Sequence, residues 1–238
     1  MRPSRRQLFL AGAVVAGASV VSTESAFADG YGSGAIGDWQ SMSKAIATPE
    51  LIATTLERNG VFMFGDSIAV QDGKSLATLI ATRLGVPLAV HNWSGRPTPP
   101  AVDALASWKA TYGLPSRILM ATGTNDIFTP NVFAAEVDRT MALVGPARTV
   151  FWVNVQASRN ALAPEVRVAD QRNSGWINLQ LADAQRRHAN LRVVHWAEFL
   201  ASKISRLTAY LKPDGVHTTV PLGQNARNEL IVQGLEAG

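Results

Sequence analysis

Val61-Phe62-Met63-Phe64-Gly65-Asp66-Ser67 is the stretch that decides the fold. Four large apolar residues in a row, with no polar alternation, suit a strand buried on both faces, and the glycine, acid and hydroxyl that follow end it sharply. Four further runs of the same character lie downstream: Leu88 to His91, Arg117 to Ala121, Thr149 to Val155 and Leu191 to His195. Between them apolar residues recur at helical spacing over 74–84, 100–111, 131–143 and 170–189, with a last helix over 222–235 and an earlier one near Pro49 to Arg58. Strand and helix alternating five times predict an α/β fold. Right-handed crossovers place helices on both faces of a five-stranded parallel sheet, a flavodoxin-like three-layer α/β/α sandwich.

The 238 residues, 47% apolar and 17% charged, are enough for one well-buried domain and exclude a disordered chain, a collagen and a coiled coil. The first 28 residues read as an export signal. Arg2, Arg5 and Arg6 precede an apolar run from Leu8 to Val21, and Ala26-Phe27-Ala28 supplies a small-x-small cleavage point. That run is shorter than the roughly 20 residues a bilayer core requires, so a stable membrane anchor is not expected. Ser4-Arg5-Arg6-Gln7-Leu8-Phe9-Leu10 resembles a twin-arginine signal; an ordinary Sec signal is the alternative. Residues 29–45, rich in glycine, read as a flexible leader, and 46–238 as a single domain. The expected localisation is periplasmic, cell-envelope or secreted, with the export machinery as a partner.

No run of five or six basic residues appears, which argues against a nucleic-acid stripe or a polybasic membrane patch. The chain has no cysteine, so disulfides and thiolate metal sites are excluded. No His-Glu-x-x-His cluster and no phosphate-cradling glycine spacing is present, so neither a metal nor any other cofactor is expected.

In an open α/β sheet the reactive groups collect at the carboxyl ends of the strands. Those ends carry Gly65-Asp66-Ser67, Asn92-Trp93-Ser94-Gly95 and Gly123-Thr124-Asn125-Asp126, and Asp214-Gly215-Val216-His217 precedes the last helix. A serine hydroxyl needs a base within about 3 Å, itself held in one tautomer by a third group. Ser67, His217 and Asp214 could fill these roles, and Gly95, Asn125 and the Ser67 N–H could donate to an oxyanion. Structural readings stand beside these: Ser67 as a helix cap, Asn125 as a turn residue, Trp93 as core packing. Arg96 and Arg159 could bind a negative group on a substrate or simply sit solvated at the rim.

The four segments, in this order and spanning roughly residues 60–235, resemble the blocks of the SGNH, or GDSL-like, hydrolase family. The resemblance implies Ser67 as nucleophile, Gly95 and Asn125 as oxyanion donors, and His217 with Asp214 as base and orienting acid. The second block departs from the pattern by its short spacing from Asn92 to Gly95, and a Gly-x-Ser-x-Gly elbow is absent because Ala69 stands where the second glycine belongs. The expected activity is an exported serine esterase acting on an O-acyl ester, with a small acyl group on an envelope or extracellular polysaccharide as first choice. Stretches 193–198 and 212–217 motivate that choice by their resemblance to SGNH domains attached to bacterial acyltransferases. Trp93 could wall its acyl or sugar pocket. Alternatives are a lipid esterase, an acyltransferase onto a sugar hydroxyl, and a non-catalytic glycan-binding module.

Overall fold

The computed structural model describes residues 30–238; the export signal read at 1–28 lies outside the described residues. A six-stranded sheet is flanked by helices, in the chain order β1 (Lys44–Ile46), α1 (Pro49–Glu57), β2 (Val61–Gly65), α2 (Ser67–Leu84), β3 (Leu88–Trp93), α3 (Thr98–Tyr112), β4 (Arg117–Ala121), α4 (Phe133–Val144), β5 (Thr149–Val153), α5 (Pro164–Arg187), β6 (Leu191–Val194), α6 (Trp196–Ala201), α7 (Ile204–Tyr210) and α8 (Leu222–Glu236). Short 3₁₀ turns cover Thr124–Phe128 and Pro130–Val132. The strands run β1-β3-β2-β4-β5-β6 across the sheet. β2 to β6 are parallel, as expected, and β1 adds an antiparallel edge against β3. Since β3 and β4 flank β2 on opposite sides, the strand order reverses at β2, and its carboxyl end opens into the crevice where α/β sheets bind ligands.

The period of two in β2 divides the core. Val61 and Met63 face the layer of α2 and α8, packing with Leu76, Ile80, Ile231 and Val232. Phe62 and Phe64 face the other layer, with Trp108, Val102, Trp152 and Ile177. All four β2 side chains are fully buried, each contributing about 1.5–3 kcal/mol of apolar transfer.

Several boundaries differ from the sequence reading. The sheet has six strands rather than five, because Lys44-Ala45-Ile46, three residues too short and too exposed to announce a strand, pair with Trp93, Asn92 and His91. α2 begins at Ser67 rather than at 74: Asp66 caps it by accepting the Ile68 N–H at 3.0 Å, and Gly73 does not break it. α5 begins at Pro164 rather than at 170, where proline suits a first helical turn. The segment read as a flexible leader lies against the domain. Tyr31 packs on Trp176 at 5.9 Å, Ser33 is 2% exposed, and the Tyr31 and Ser33 carbonyls accept from Arg172, Asn173 and Arg159. No helix among the described residues is long and apolar enough to cross a membrane.

Candidate active site

Ser67 is the first residue of α2, directly beyond the strand end. Gly65 makes the turn possible, since a Cβ there would stand 2.2 Å from the Ala69 Cβ. Capping of α2 falls to Asp66, whose 1%-exposed carboxyl is pushed up by burial against the opposing pull of the Arg227 charge, the Ile68 N–H and His217. The Ser67 hydroxyl is thereby free of the helix and lies 2.8 Å from His217 Nε2.

His217 sits on the loop that follows α7. The loop closes on itself, with the Lys212 N–H donating to the His217 carbonyl at 2.7 Å and the Gly215 N–H to the Lys212 carbonyl at 2.9 Å. One oxygen of Asp214 accepts the Val216 and His217 N–H groups at 2.8 and 2.9 Å; the other accepts from His217 Nδ1 at 2.9 Å. Partial burial pushes the Asp214 carboxyl up, but these three donors outweigh it and hold the group below the usual carboxylate range. An ionised acceptor at Nδ1 keeps the Nε2 lone pair turned toward Ser67. Three residues from two distant segments thus form a relay from hydroxyl to imidazole to carboxylate.

The two residues expected from the sequence as donors, Gly95 and Asn125, lie on two turns. Trp93 to Arg96 form a β-turn, the Arg96 N–H reaching the Trp93 carbonyl at 3.3 Å, and Gly95 occupies its third position with φ +74°, where glycine is favoured. Asn125 lies on the 3₁₀ turn after β4, its Nδ2 3.3 Å from the Arg96 carbonyl. Its neighbour Asp126 is fully buried and accepts from the Thr98 N–H at 3.0 and 3.1 Å and from the Thr98 hydroxyl at 2.8 Å, pinning the turn to the start of α3. Burial, opposed by Thr98 and reinforced by Asp66 and Glu136, raises the Asp126 carboxyl to about 7.

Ser67, Asn125, Arg159, Asp214 and His217 line one open cleft of ≈ 430 Å³ whose apolar wall is Ala161, Leu162 and Val216. Three sequence readings are corrected here. Arg96 is not at the rim: 1% exposed, it donates to the Gly65 carbonyl at 2.8 Å and to His91 Nδ1 at 2.8 Å, so it is a strut under the Ser67 turn. Trp93 does not wall the cleft; it turns to the sheet edge, edge-on to Trp39 at 4.9 Å with Lys44 Nζ 3.6 Å above its ring. Arg159 does line the cleft, but its fork is matched by buried Asp170 at 2.6 and 2.8 Å and by the Ser33 carbonyl, which makes it a brace of the wall rather than a free anion receptor. Asp126, beside Asn125, reads from the sequence as a turn and supporting hydrogen-bond residue, and its bonds to Thr98 agree; Asp170 was missed, its signal an acid placed within a segment that has to be buried.

His91 is held neutral near Arg96. Burial, then the charges of Arg96 and Lys44, lower it from 6.5 to about 4. The unfolded chain therefore takes up this proton first on acidification, and stability is lost between about pH 6.5 and 4. Asp126 acts in the opposite sense, its raised value costing stability as pH rises toward 7. The expected result is a difference: the melting temperature of the wild type relative to His91→Gln falls as pH drops from 6.5 to 4, measured side by side across that range. A pH-independent difference would contradict the neutral assignment.

Among the described residues no cluster of three or more His, Asp or Glu side chains is arranged to hold a metal. No protein-family model matches the sequence, and no curated protein does. Solved structures do match. The C-terminal catalytic domain of a Streptococcus pneumoniae peptidoglycan O-acetyltransferase, solved with a methylsulfonyl adduct, is 15% identical, with 75% of this chain and 93% of that chain covered and a TM-score of 0.57. A lipase/acylhydrolase from Enterococcus faecalis is 19% identical over 74% of this chain and 95% of that one, with a TM-score of 0.61. For a GDSL-like lipase from Bacteroides thetaiotaomicron the values are 20% identity, 74% and 87% coverage, and a TM-score of 0.57. Over the three quarters of the chain that these matches cover, the fold is the α/β sandwich, with its mostly parallel sheet, that these hydrolase and acyltransferase domains share.

Proposed function

We propose that the protein is a serine ester hydrolase of the SGNH type, exported from the cytoplasm, that removes a short acyl group from an envelope or extracellular polysaccharide. The observation that carries this reading is the relay from Ser67 Oγ to His217 Nε2 at 2.8 Å and from His217 Nδ1 to Asp214 Oδ2 at 2.9 Å. It is supported by the likeness in fold to lipases, an acylhydrolase and a peptidoglycan O-acetyltransferase.

In this reading His217 Nε2 takes the Ser67 proton as Oγ bonds to the ester carbonyl carbon. The oxyanion accepts from Asn125 Nδ2, the Gly95 N–H and the Ser67 N–H, each donor contributing on the order of 2.7–4 kcal/mol. Collapse breaks the ester C–O bond, and the imidazolium returns its proton to the departing alkoxide. Water then loses a proton to His217 and attacks the acyl-enzyme. Release of the carboxylic acid restores the Ser67 hydroxyl. No cofactor takes part.

The wall of Ala161, Leu162 and Val216 offers limited apolar length in an open cleft, which favours short acyl chains over a long lipid tail. With p-nitrophenyl esters of increasing chain length, kcat/KM is expected to be highest for acetate to butyrate and to fall for octanoate and beyond; a preference for long chains would select the lipid-esterase reading. The exposed cleft also admits a second acceptor, so the same assay with an added oligosaccharide, analysed for acylated sugar, separates hydrolysis from transfer.

A further inference from the structure

The base loop has little core of its own, with Pro213 and Asp214 exposed, yet it must keep His217 within 2.8 Å of a hydroxyl 150 residues away in sequence. What it has is a grip from the nucleophile's own helix. One turn beyond Ser67, Gln71 Nε2 lies 2.6 Å from the Thr218 hydroxyl and 3.1 Å from the Thr218 carbonyl, while Gln71 Oε1 accepts from Lys212. The Thr218 hydroxyl donates in turn to Asp72, 3.0 and 3.2 Å from its two oxygens. Thr218 and Lys212 bracket the loop: Leu211 and Thr218 form a β-bridge, and the His217 carbonyl is bonded to Lys212.

Asp72 is 0% exposed, and α8 supports it. Arg227, 3% exposed, stands 3.6 Å away and balances its charge, Gln224 reaches Asp72 Oδ1 and the Gln71 carbonyl at 3.4 and 3.2 Å, and Asn228 reaches the Asp72 carbonyl at 3.4 Å. The clamp itself, Gln71, Thr218 and Asp72, is joined by hydrogen bonds, whereas Arg227 meets Asp72 by charge alone and its Nε and Nη1, like Asn228 Oδ1, have no hydrogen-bond partner. Thr218 sits at its centre, accepting from Gln71 and donating to Asp72.

We propose that Gln71, Asp72 and Thr218 are positioning residues for the base, so that α2 carries both the nucleophile and the clamp that sets the place of His217 against it. This rests on the reading of Ser67 and His217 given above. A hydroxyl-to-imidazole contact is productive only in a narrow range of geometry, and a misplacement of about 1 Å lowers turnover by about 100-fold. The clamp acts on turnover through His217 and touches no part of the cleft wall, so KM is unaffected.

The test uses Thr218→Val, which keeps the shape and removes the hydroxyl, Thr218→Ser, which restores it, and Gln71→Ala, which releases only the half-buried Lys212 ammonium to water. Asp72 itself is unsuitable, because its removal leaves Arg227 buried without a partner. On p-nitrophenyl acetate, Thr218→Val and Gln71→Ala are expected to lower kcat about 10- to 100-fold with KM within twofold, and Thr218→Ser to stay within about threefold of wild type. By NMR, the His217 Nδ1–H resonance is expected to broaden or vanish in Thr218→Val and to persist in Thr218→Ser. Should Thr218→Val fail to fold, Gln71→Ala carries the same expectations. Wild-type kcat and an unchanged imidazole signal in Gln71→Ala and Thr218→Val, with Ser67→Ala inactive, would overturn the clamp alone. Full activity of Ser67→Ala would instead remove the reading beneath it, and the imidazole signal would then judge the clamp independently.

Discussion

Ser67→Ala is expected to lower kcat on p-nitrophenyl acetate by about 10⁴- to 10⁶-fold, the loss seen when the nucleophile is taken from a serine triad. The size of the effect follows from the chemistry: without Oγ no acyl-enzyme forms, and only the oxyanion donors and binding remain. The fold should not notice. Because Asp66 caps α2, and the Ser67 hydroxyl bonds to His217, the substitution should leave stability within about 0.5 kcal/mol of wild type. Steady-state kinetics and a melting curve on the same preparation test both halves. A variant that melts normally and turns over at the wild-type rate would eliminate Ser67 as nucleophile.

The second large effect is expected of Asp214→Asn, a loss in kcat of about 10³- to 10⁴-fold. An amide in this place can still accept the Val216 and His217 N–H groups. In that same orientation its NH₂ takes the place of Oδ2 and donates to Nδ1, which selects the imidazole tautomer that carries hydrogen on Nε2. That nitrogen then has no lone pair for the Ser67 proton. Stability gives a second readout with a definite sign. The Asp214 carboxyl is held below its ordinary value, so its contribution is complete above the unfolded value and is lost as pH falls through the folded one. The stability advantage of wild type over Asp214→Asn should therefore shrink on acidification below about pH 4. An advantage that grows there would mean that the carboxylate is not stabilised by its neighbours.

Much of the architecture was legible because a parallel sheet buried on both faces needs uninterrupted apolar runs, and Val61 to Phe64 is such a run. The crevice residues were legible for a related reason: polar groups that abruptly follow such runs have to lie at strand ends. What escaped were features defined by partners rather than by local pattern. Lys44 to Ile46 is a strand only because β3 offers an edge. Arg96 looks like a surface cation until the carbonyls of Gly65 and His91 are seen to require a donor at that depth. α6 and α7, six and seven residues long, have too few turns for a period to be read. Adjacency to Gly95 left Trp93 readable either as core packing or as a wall of the cleft, and only its partners at the sheet edge, Trp39 and Lys44, decide its place.

The brace on Arg159 reaches back to the start of the described chain, where the Ser33 carbonyl holds the guanidinium and the Asn173 side chain joins Tyr31, Ser33 and the Ile127 carbonyl just past Asn125. Tags and truncations are therefore not neutral at this end. A recombinant version beginning at residue 40 would give up the struts beneath one side of the crevice, whereas one beginning at residue 30 would keep them. The choice of first codon thus decides whether one side of the crevice keeps its support.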